Sequence, residues 1–256
     1  MTSKAATRLV NTMAILGGMA AIALGAFGVA DYAKQSRHRR ELAIKRSDSY
    51  LRTRVVMLQG DRGRCSAVQV KAPSGKVYTL SAAHCRDIVS KGNIIEGVMD
   101  DGQVFKLEVL EVSRKDDLML LTSGTPHSID IAKILEKHTK IHTMTHGRGL
   151  PSHRSDGELL LEQTVRLPMY SIDTDAKMVQ CLADGNEPTF IMFSEYPECV
   201  SNLLVMLSTA KVRPGSSGGA AVNTNNELIG IVSISDGDSI SGLVPLRIIQ
   251  EFMHKR

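Results

Sequence analysis

The sequence predicts an all-β fold closed by a single C-terminal helix. Short apolar runs separated by turn signals recur from residue 54 to residue 235, the spacing of an all-β domain. Pro245–Lys255 then changes period, and Leu246, Ile249, Phe252 and Met253 fall on one helical face. A chain of 256 residues holds one or two domains. No Pro/Gly/Ser linker, repeat or low-complexity tract divides residues 52–256. There is no tryptophan, and aromatic residues make up only 4%, so the core must be built from Val, Ile, Leu and Met.

Taken in order, the first half offers strands at Arg54–Leu58, Ser66–Val70, Val77–Ser81, Ile94–Met99, Val104–Ser113 and Leu118–Leu121. Pro73-Ser74-Gly75 turns the second strand into the third. Residues 122–150 carry less pattern, with one or two helical turns expected over Ile131–His138. The second half offers Glu158–Leu167, Met178–Leu182, Thr189–Phe193, Leu203–Thr209, Ala220–Val222 and Leu228–Ser235, with a hairpin turn at Asn223–Asn226.

The N-terminal arm is different. Residues 9–30 hold no charged side chain and follow Lys4 and Arg8. Their length and flanks fit a membrane-spanning signal anchor or a cleaved signal peptide, and Gly28-Val29-Ala30 supplies small residues for cleavage. Residues 31–51 read as a basic, helical stalk, lying on anionic lipid headgroups or simply solvated. The net charge of +4 belongs to this arm: residues 1–50 carry eight Lys/Arg against three Asp/Glu, which leaves the remainder at −1. A nucleic-acid-binding globular domain is not expected.

Three motifs carry the chemistry. Arg213-Pro214-Gly215-Ser216-Ser217-Gly218-Gly219 boxes serines in glycines, giving a nucleophile and a turn whose N–H groups can face a developing oxyanion. Thr79-Leu80-Ser81-Ala82-Ala83-His84-Cys85 ends an apolar strand on a histidine, a base near neutral pH. Asp116-Asp117-Leu118-Met119-Leu120-Leu121 opens an apolar strand with carboxylates. The order His, Asp, Ser is one of the chain orders of the hydrolytic triad. Composition alone does not choose between Ser216 and Ser217, or between Asp116 and Asp117. His127, His138, His142, His146 and His153 cluster in sequence. Their spacings are irregular and no cysteine or paired carboxylate accompanies them, so solvated loop histidines are expected and no metal site.

With these motifs the chain resembles the trypsin/chymotrypsin-like serine peptidases, and its Pro-Gly-Ser-Ser-Gly-Gly form is most like the high-temperature-requirement type. The resemblance covers roughly residues 52–250. It implies two six-stranded antiparallel β-barrels, divided near residues 125–155, and a closing helix. It selects Ser217 as nucleophile, His84 as general base and Asp117 as the carboxylate that orients it, with the N–H groups of Gly215 and Ser217 as the oxyanion hole. Gly230–Ser235 resembles the substrate-binding strand, which implies that Ser233, Ile234 and Ser235 pair with an extended peptide and that Ser233 bonds to Asp117. Gly242 matches the glycine that leaves the specificity pocket open. At the pocket-base position stands Lys211. Either its cation favours an acidic residue before the scissile bond, or it is a surface lysine and Val212 and Ile234 line a pocket for small aliphatic groups. One departure matters: activated digestive peptidases carry aspartate just before the nucleophile, whereas this chain has Ser216, so activation by that ion pair is not expected.

The same resemblance pairs Cys65 with Cys85, a closure worth about 3 kcal/mol by loop entropy, and Cys181–Cys199 is a plausible second bridge. An even cysteine count favours an oxidising compartment and hence an extracytoplasmic peptidase domain. Lys34, Arg37, Arg39, Arg40, Lys45 and Arg46, which follow the apolar span, argue for the cytoplasmic side instead. The expected function is that of a membrane-anchored serine endopeptidase acting on protein or peptide substrates, without a cofactor and without a PDZ domain after the peptidase unit. The alternatives are a catalytically inactive peptide-binding module of the same fold and a viral or phage processing peptidase.

Overall fold

The computed structural model describes residues 34–89, 92–136, 139–147, 151–171, 174–183, 186–189, 196–235 and 239–256. The apolar segment 9–30 lies outside them, and no described helix is long and apolar enough to cross a membrane. The chain divides into two units, Met1–Asp48 and Ser49–Arg256. Helix α1 covers residues 34–52, and its described residues up to Asp48 are mostly exposed. The second unit starts at Ser49 because Leu51 is fully buried in its core.

Six strands form a closed barrel: β1 (Val55–Gly60), β2 (Gly63–Lys71), β3 (Val77–Ser81), β4 (Ile94–Val98), β5 (Val104–Ser113) and β6 (Leu118–Leu121), in the order β1-β2-β3-β6-β5-β4. A short helix, α2 (Cys85–Val89), follows β3. The second sheet has seven strands rather than the six expected. They are β7 (Lys140–Thr145), β8 (His153–Ser171), β9 (Glu187–Thr189), β10 (Glu198–Ser208), β11 (Ala220–Val222), β12 (Leu228–Ser235) and β13 (Ser241–Pro245), in the order β13-β12-β11-β7-β8-β10-β9. β10 also pairs with β13, Leu207 opposite Gly242, so six of the strands return on themselves and β9 is added outside β10. The chain ends in α4 (Leu246–His254), which buries Leu246, Ile249, Phe252 and Met253, the four positions its period predicts.

Strand alternation builds the core. In β6, Leu118 and Leu120 join the cluster shared by the two sheets, whereas Met119 and Leu121 point into the first barrel. All four are buried, since successive side chains face opposite sides of a strand and both sides are covered. β11 repeats this, with Ala220 and Val222 in the shared cluster and Ala221 inside the second sheet. The shared cluster also takes Leu51, Phe252 and Met253, so both ends of the unit seal the seam between the sheets.

Some expected elements differ. Met178–Leu182, read as a strand, lies in helix α3 (Asp175–Ala183), with Met178 packed against Cys181 and Cys199. Residues 131–136 are not helical; Ile131 bridges Leu228 in parallel. β7 and β13 have no counterpart among the expected strands. Of the expected strand Thr189–Phe193 only Thr189 is described, and His138 also falls outside the described residues.

Candidate active site

β3 delivers His84 to the seam, and the Cys65–Cys85 disulfide ties the next residue back to β2. Asp117 ends the turn before β6, where its N–H donates to Arg114 O at 3.3 Å. Its φ of 50° is unusual for a residue with a side chain, although aspartate tolerates it better than most. His84 Nδ1 lies 3.0 Å from both Asp117 carboxylate oxygens, and the His84 backbone N–H donates to Oδ1 at 3.1 Å. A carboxylate only accepts, so the neutral imidazole keeps its proton on Nδ1 and leaves Nε2 as an acceptor. Asp116 faces away and accepts the Ser113 hydroxyl at 2.6 Å.

The His84 pKa is raised. Burial works to lower it, but the hydrogen bond to Asp117, the Asp117 charge and the charge of Asp87 together outweigh burial.

The loop from Arg213 to Gly219 consists of two consecutive turns. Ser216 N–H donates to Arg213 O at 2.9 Å with Gly215 at φ 89°, and Gly219 N–H donates to Ser216 O at 2.9 Å with Gly218 at φ 86°. A positive φ at the third position alone defines type II, so Pro214-Gly215 and Ser217-Gly218 are the central pairs. A Cβ on Gly218 would lie 2.0 Å from Ser66 O and 2.2 Å from Ser81 Oγ, so glycine is required there for space as well as for φ. Among the described residues the N–H groups of Gly215 and Ser217 donate to no protein acceptor.

Two side chains missed in the sequence hold this loop. Ser66, buried in β2, donates its hydroxyl to Gly215 O at 2.9 Å, and its N–H donates to Ser217 O at 2.8 Å. The same hydroxyl accepts the His146 N–H at 2.9 Å. Thr145 Oγ1 accepts the Ser216 hydroxyl at 2.9 Å, and Ser216 Oγ accepts the Arg213 N–H at 3.1 Å. Ser216 is therefore a buried loop anchor, and Ser217 is the more exposed of the two serines. No local pattern announces Ser66 or Thr145, because their partners are far away in sequence. His146 departs from the expected solvated histidine: it is 2% exposed and its Nδ1 lies 3.6 Å from Asp100 Oδ1. His142 pairs with Asp156; burial works to raise that carboxyl, but the hydrogen bond from Arg154 first, and then that from His142, hold it below its ordinary range. No group of residues suited to a metal ion occurs among the described residues.

Ser233 joins the parts. Its hydroxyl donates to Asp117 Oδ2 at 2.5 Å, and its carbonyl accepts the Ser217 hydroxyl at 3.2 Å. The Ser217 hydroxyl thus points to Ser233 O in this structure, and the described bonds do not include one to His84. The pairing of β12 with β11 stops at Ile231, which leaves Ser233 and Ile234 without a strand partner on that side, while Ile234 and Ser235 pair with β13 on the other. A cavity of about 200 Å³ opens beside Ser217, lined by Val212, Arg213, Pro214, Ser216, Val232 and Ser233 to Ser235. Lys211 is not among its lining residues. It is exposed, and its N–H donates to Ser155 Oγ at 2.9 Å. Gly242 lies behind Ile234, whose Cγ1 would be 2.5 Å from a Cβ there. Cys181–Cys199, the second disulfide, ties α3 to the start of β10, whereas β10 meets β13 only at its far end, Met206 to Ser208.

No family model matches the chain. It is 23% identical over 184 residues to the serine protease Do-like HtrA of Lactobacillus helveticus, covering 70% of this chain and 38% of that protein; the chain thus spans well under half of that curated relative. Among solved structures, the inactive form of Rv3671c protease gives a TM-score of 0.57 at 14% identity, covering 84% of this chain and 94% of that one. Its Ser343Ala mutant from M. tuberculosis gives 0.56 at 14%, covering 82% and 89%. The serine endoprotease of Yersinia pestis gives 0.56 at 18%, covering 82% and 65%. In fold and in motif, then, the chain resembles the trypsin-like serine proteases of HtrA/Do type.

Proposed function

We propose that this chain is a serine endopeptidase. His84, as general base, takes the Ser217 proton as Oγ attacks a peptide carbonyl. The oxyanion that forms is met by the Gly215 and Ser217 N–H groups. His84 then protonates the leaving amine, and water hydrolyses the acyl-enzyme by the same proton traffic in reverse. Asp117 holds the imidazole tautomer and stabilises its charged form. The observation that carries this reading is one continuous network from His84 through Asp117 and Ser233 to Ser217, beside two N–H groups without a protein acceptor. An extended substrate pairs with Ser233 and Ile234 by β-augmentation.

A specific observation favours the second reading, an inactive peptide-binding module: the Ser217 hydroxyl donates to Ser233 O rather than to His84. Fluorophosphonate labelling separates the two. Labelling of the wild type that disappears in Ser217→Ala supports the enzyme, and a folded protein that never labels supports the binding module. The charge-free run 9–30 supports attachment to a membrane, and the two disulfides support a peptidase unit outside the cytoplasm; membrane fractionation and thiol-reagent topology mapping test both.

A further inference from the structure

We propose that the cavity beside Ser217 takes the carboxylate side chain of a substrate glutamate or aspartate placed just before the scissile bond, with Arg213 as the cation that reads it. This rests on the peptidase reading above and names its substrate class. Arg213 is the only charged residue lining the cavity, and no carboxylate lines it among the described residues. Its side chain is exposed, and its guanidinium has no hydrogen-bond or ion-pair partner among them. Arg52, Arg114, Arg154, Arg166, Arg247 and Arg256 pair with carboxylates, and Arg54 and Arg86 bond to neutral oxygens. Arg213 shares its unpaired state with the exposed Arg62 and Arg64 but differs from them in lining the cavity.

Position follows from the loop. Arg213 opens the type II turn that carries Gly215, and its backbone is fixed at both ends, N–H to Ser216 Oγ and carbonyl to Ser216 N–H. Its Cα is therefore held four residues from Ser217 in a fixed turn, while its side chain is unpaired among the described residues. A substrate residue whose carbonyl sits against Ser217 and whose backbone pairs with Ser233 has this cavity for its side chain. A planar guanidinium favours a carboxylate over the isosteric amide, through charge-assisted and bidentate hydrogen bonds. The remaining lining, Val212, Val232 and Ile234 with Ser235, suits the short methylene stem. Arg213 stands two residues from Lys211, which is exposed and does not line the cavity.

The test compares peptides that differ only as glutamate or glutamine before the scissile bond, acetylated and amidated so that the side chain holds the sole carboxylate. The wild type is expected to favour glutamate about tenfold or more in kcat/KM, with the preference falling as salt rises. Arg213→Gln should bring that ratio near one, and Arg213→Glu should invert it toward a lysyl peptide. Equal use of both peptides by the wild type, or a ratio that survives Arg213→Gln, overturns the proposal. Binding of the same peptides to Ser217→Ala reads the cavity even if the hydroxyl is inert. A wild type that labels with fluorophosphonate but shows no preference sinks only the substrate class. A folded wild type that never labels sinks the peptidase reading, while the binding ratio still decides the role of Arg213.

Discussion

Ser66→Ala tests whether the nucleophile loop is preorganised from below. The Ser66 hydroxyl is fully buried, donates to Gly215 O and accepts the His146 N–H. Alanine deletes both bonds and adds nothing in their place. Gly215 O has no other partner among the described residues, and a buried polar group left without one costs about 1–3 kcal/mol. With the His146 N–H losing its Ser66 partner as well, the total loss is about 2–6 kcal/mol, which for a domain of this size lowers Tm by about 5–20 °C. If about 1–2 kcal/mol of it biases the loop toward the competent turn, the fraction of molecules with a formed oxyanion hole drops about 5–30-fold. Fluorophosphonate labelling rate and thermal melting read the two effects separately, and Ser66→Thr, which keeps a hydroxyl, should recover most of the labelling. A Tm that falls as stated while labelling and turnover stay at wild-type rates would refute the reasoning, because Ser66 would then support the fold without shaping the hole.

Asp117→Asn should lower kcat by about 10⁴, the cost of the same change in a chymotrypsin-type triad, since an amide no longer enforces a proton on Nδ1; burst kinetics measures it. The pH profile of kcat/KM should rise through a midpoint above the ordinary histidine value of 6.5. The base must be neutral, and Asp117 and Asp87 hold the proton on. The linked stability runs the other way: a raised histidine pKa contributes stability fully present below 6.5 and lost as pH climbs through the folded value, which melts across pH 5–9 check. Gly218→Ala combines a left-handed φ, costing about 1–2 kcal/mol, with overlap on Ser66 O at 2.0 Å; Tm should fall and labelling should be lost, and retained labelling would contradict the turn geometry. Replacing Cys181 and Cys199 by serine removes a closure over 18 positions, worth about 3 kcal/mol by loop entropy. Tm should drop while Ser217 still labels, as neither sulfur belongs to the site.

What the sequence disclosed was local. Ala82-Ala83-His84-Cys85, Asp117-Leu118 and the glycine-boxed serines are contiguous strings, and each sits at the end of a strand or in a turn whose signals are also contiguous. Leu118–Leu121 declared itself as a short apolar run because both of its faces are covered. Met178–Leu182 did not, because five residues are too few to separate a helical period from a strand; the burial of Cys181 three positions after Met178 settles it as a helix. β13 hid because Ser241-Gly242-Leu243 opens with two residues of poor strand propensity, and its place is fixed by pairing with β10 and β12 on either side. Ser66 and Thr145 were illegible for a stronger reason. They act on the site through register and close packing between strands, which no window of sequence contains, whereas Arg213 stood inside the glycine-boxed motif and was overlooked because the pocket-base position drew the reading to Lys211.

The substitution of Ser216 for an acidic residue beside the nucleophile explains how this loop can stand without an ion pair. The bonds that fix it are neutral: Ser216 hydroxyl to Thr145, Arg213 N–H to Ser216 Oγ, Ser66 hydroxyl to Gly215 O, Ser66 N–H to Ser217 O and Gly218 N–H to Val232 O. A buried carboxylate at 216 would need a cation to offset its desolvation, and the groups around Ser216 Oγ are the Thr145 hydroxyl and the Arg213 amide. A hydroxyl can both donate and accept, so it satisfies the two neighbours at once, where a carboxylate could only accept. The loop's shape is therefore set by strand register, through Ser66 on β2 and Thr145 at the end of β7. Among the described residues no charge holds it, and so on the proposed reading the Gly215 and Ser217 N–H groups are presented wherever the two sheets have met.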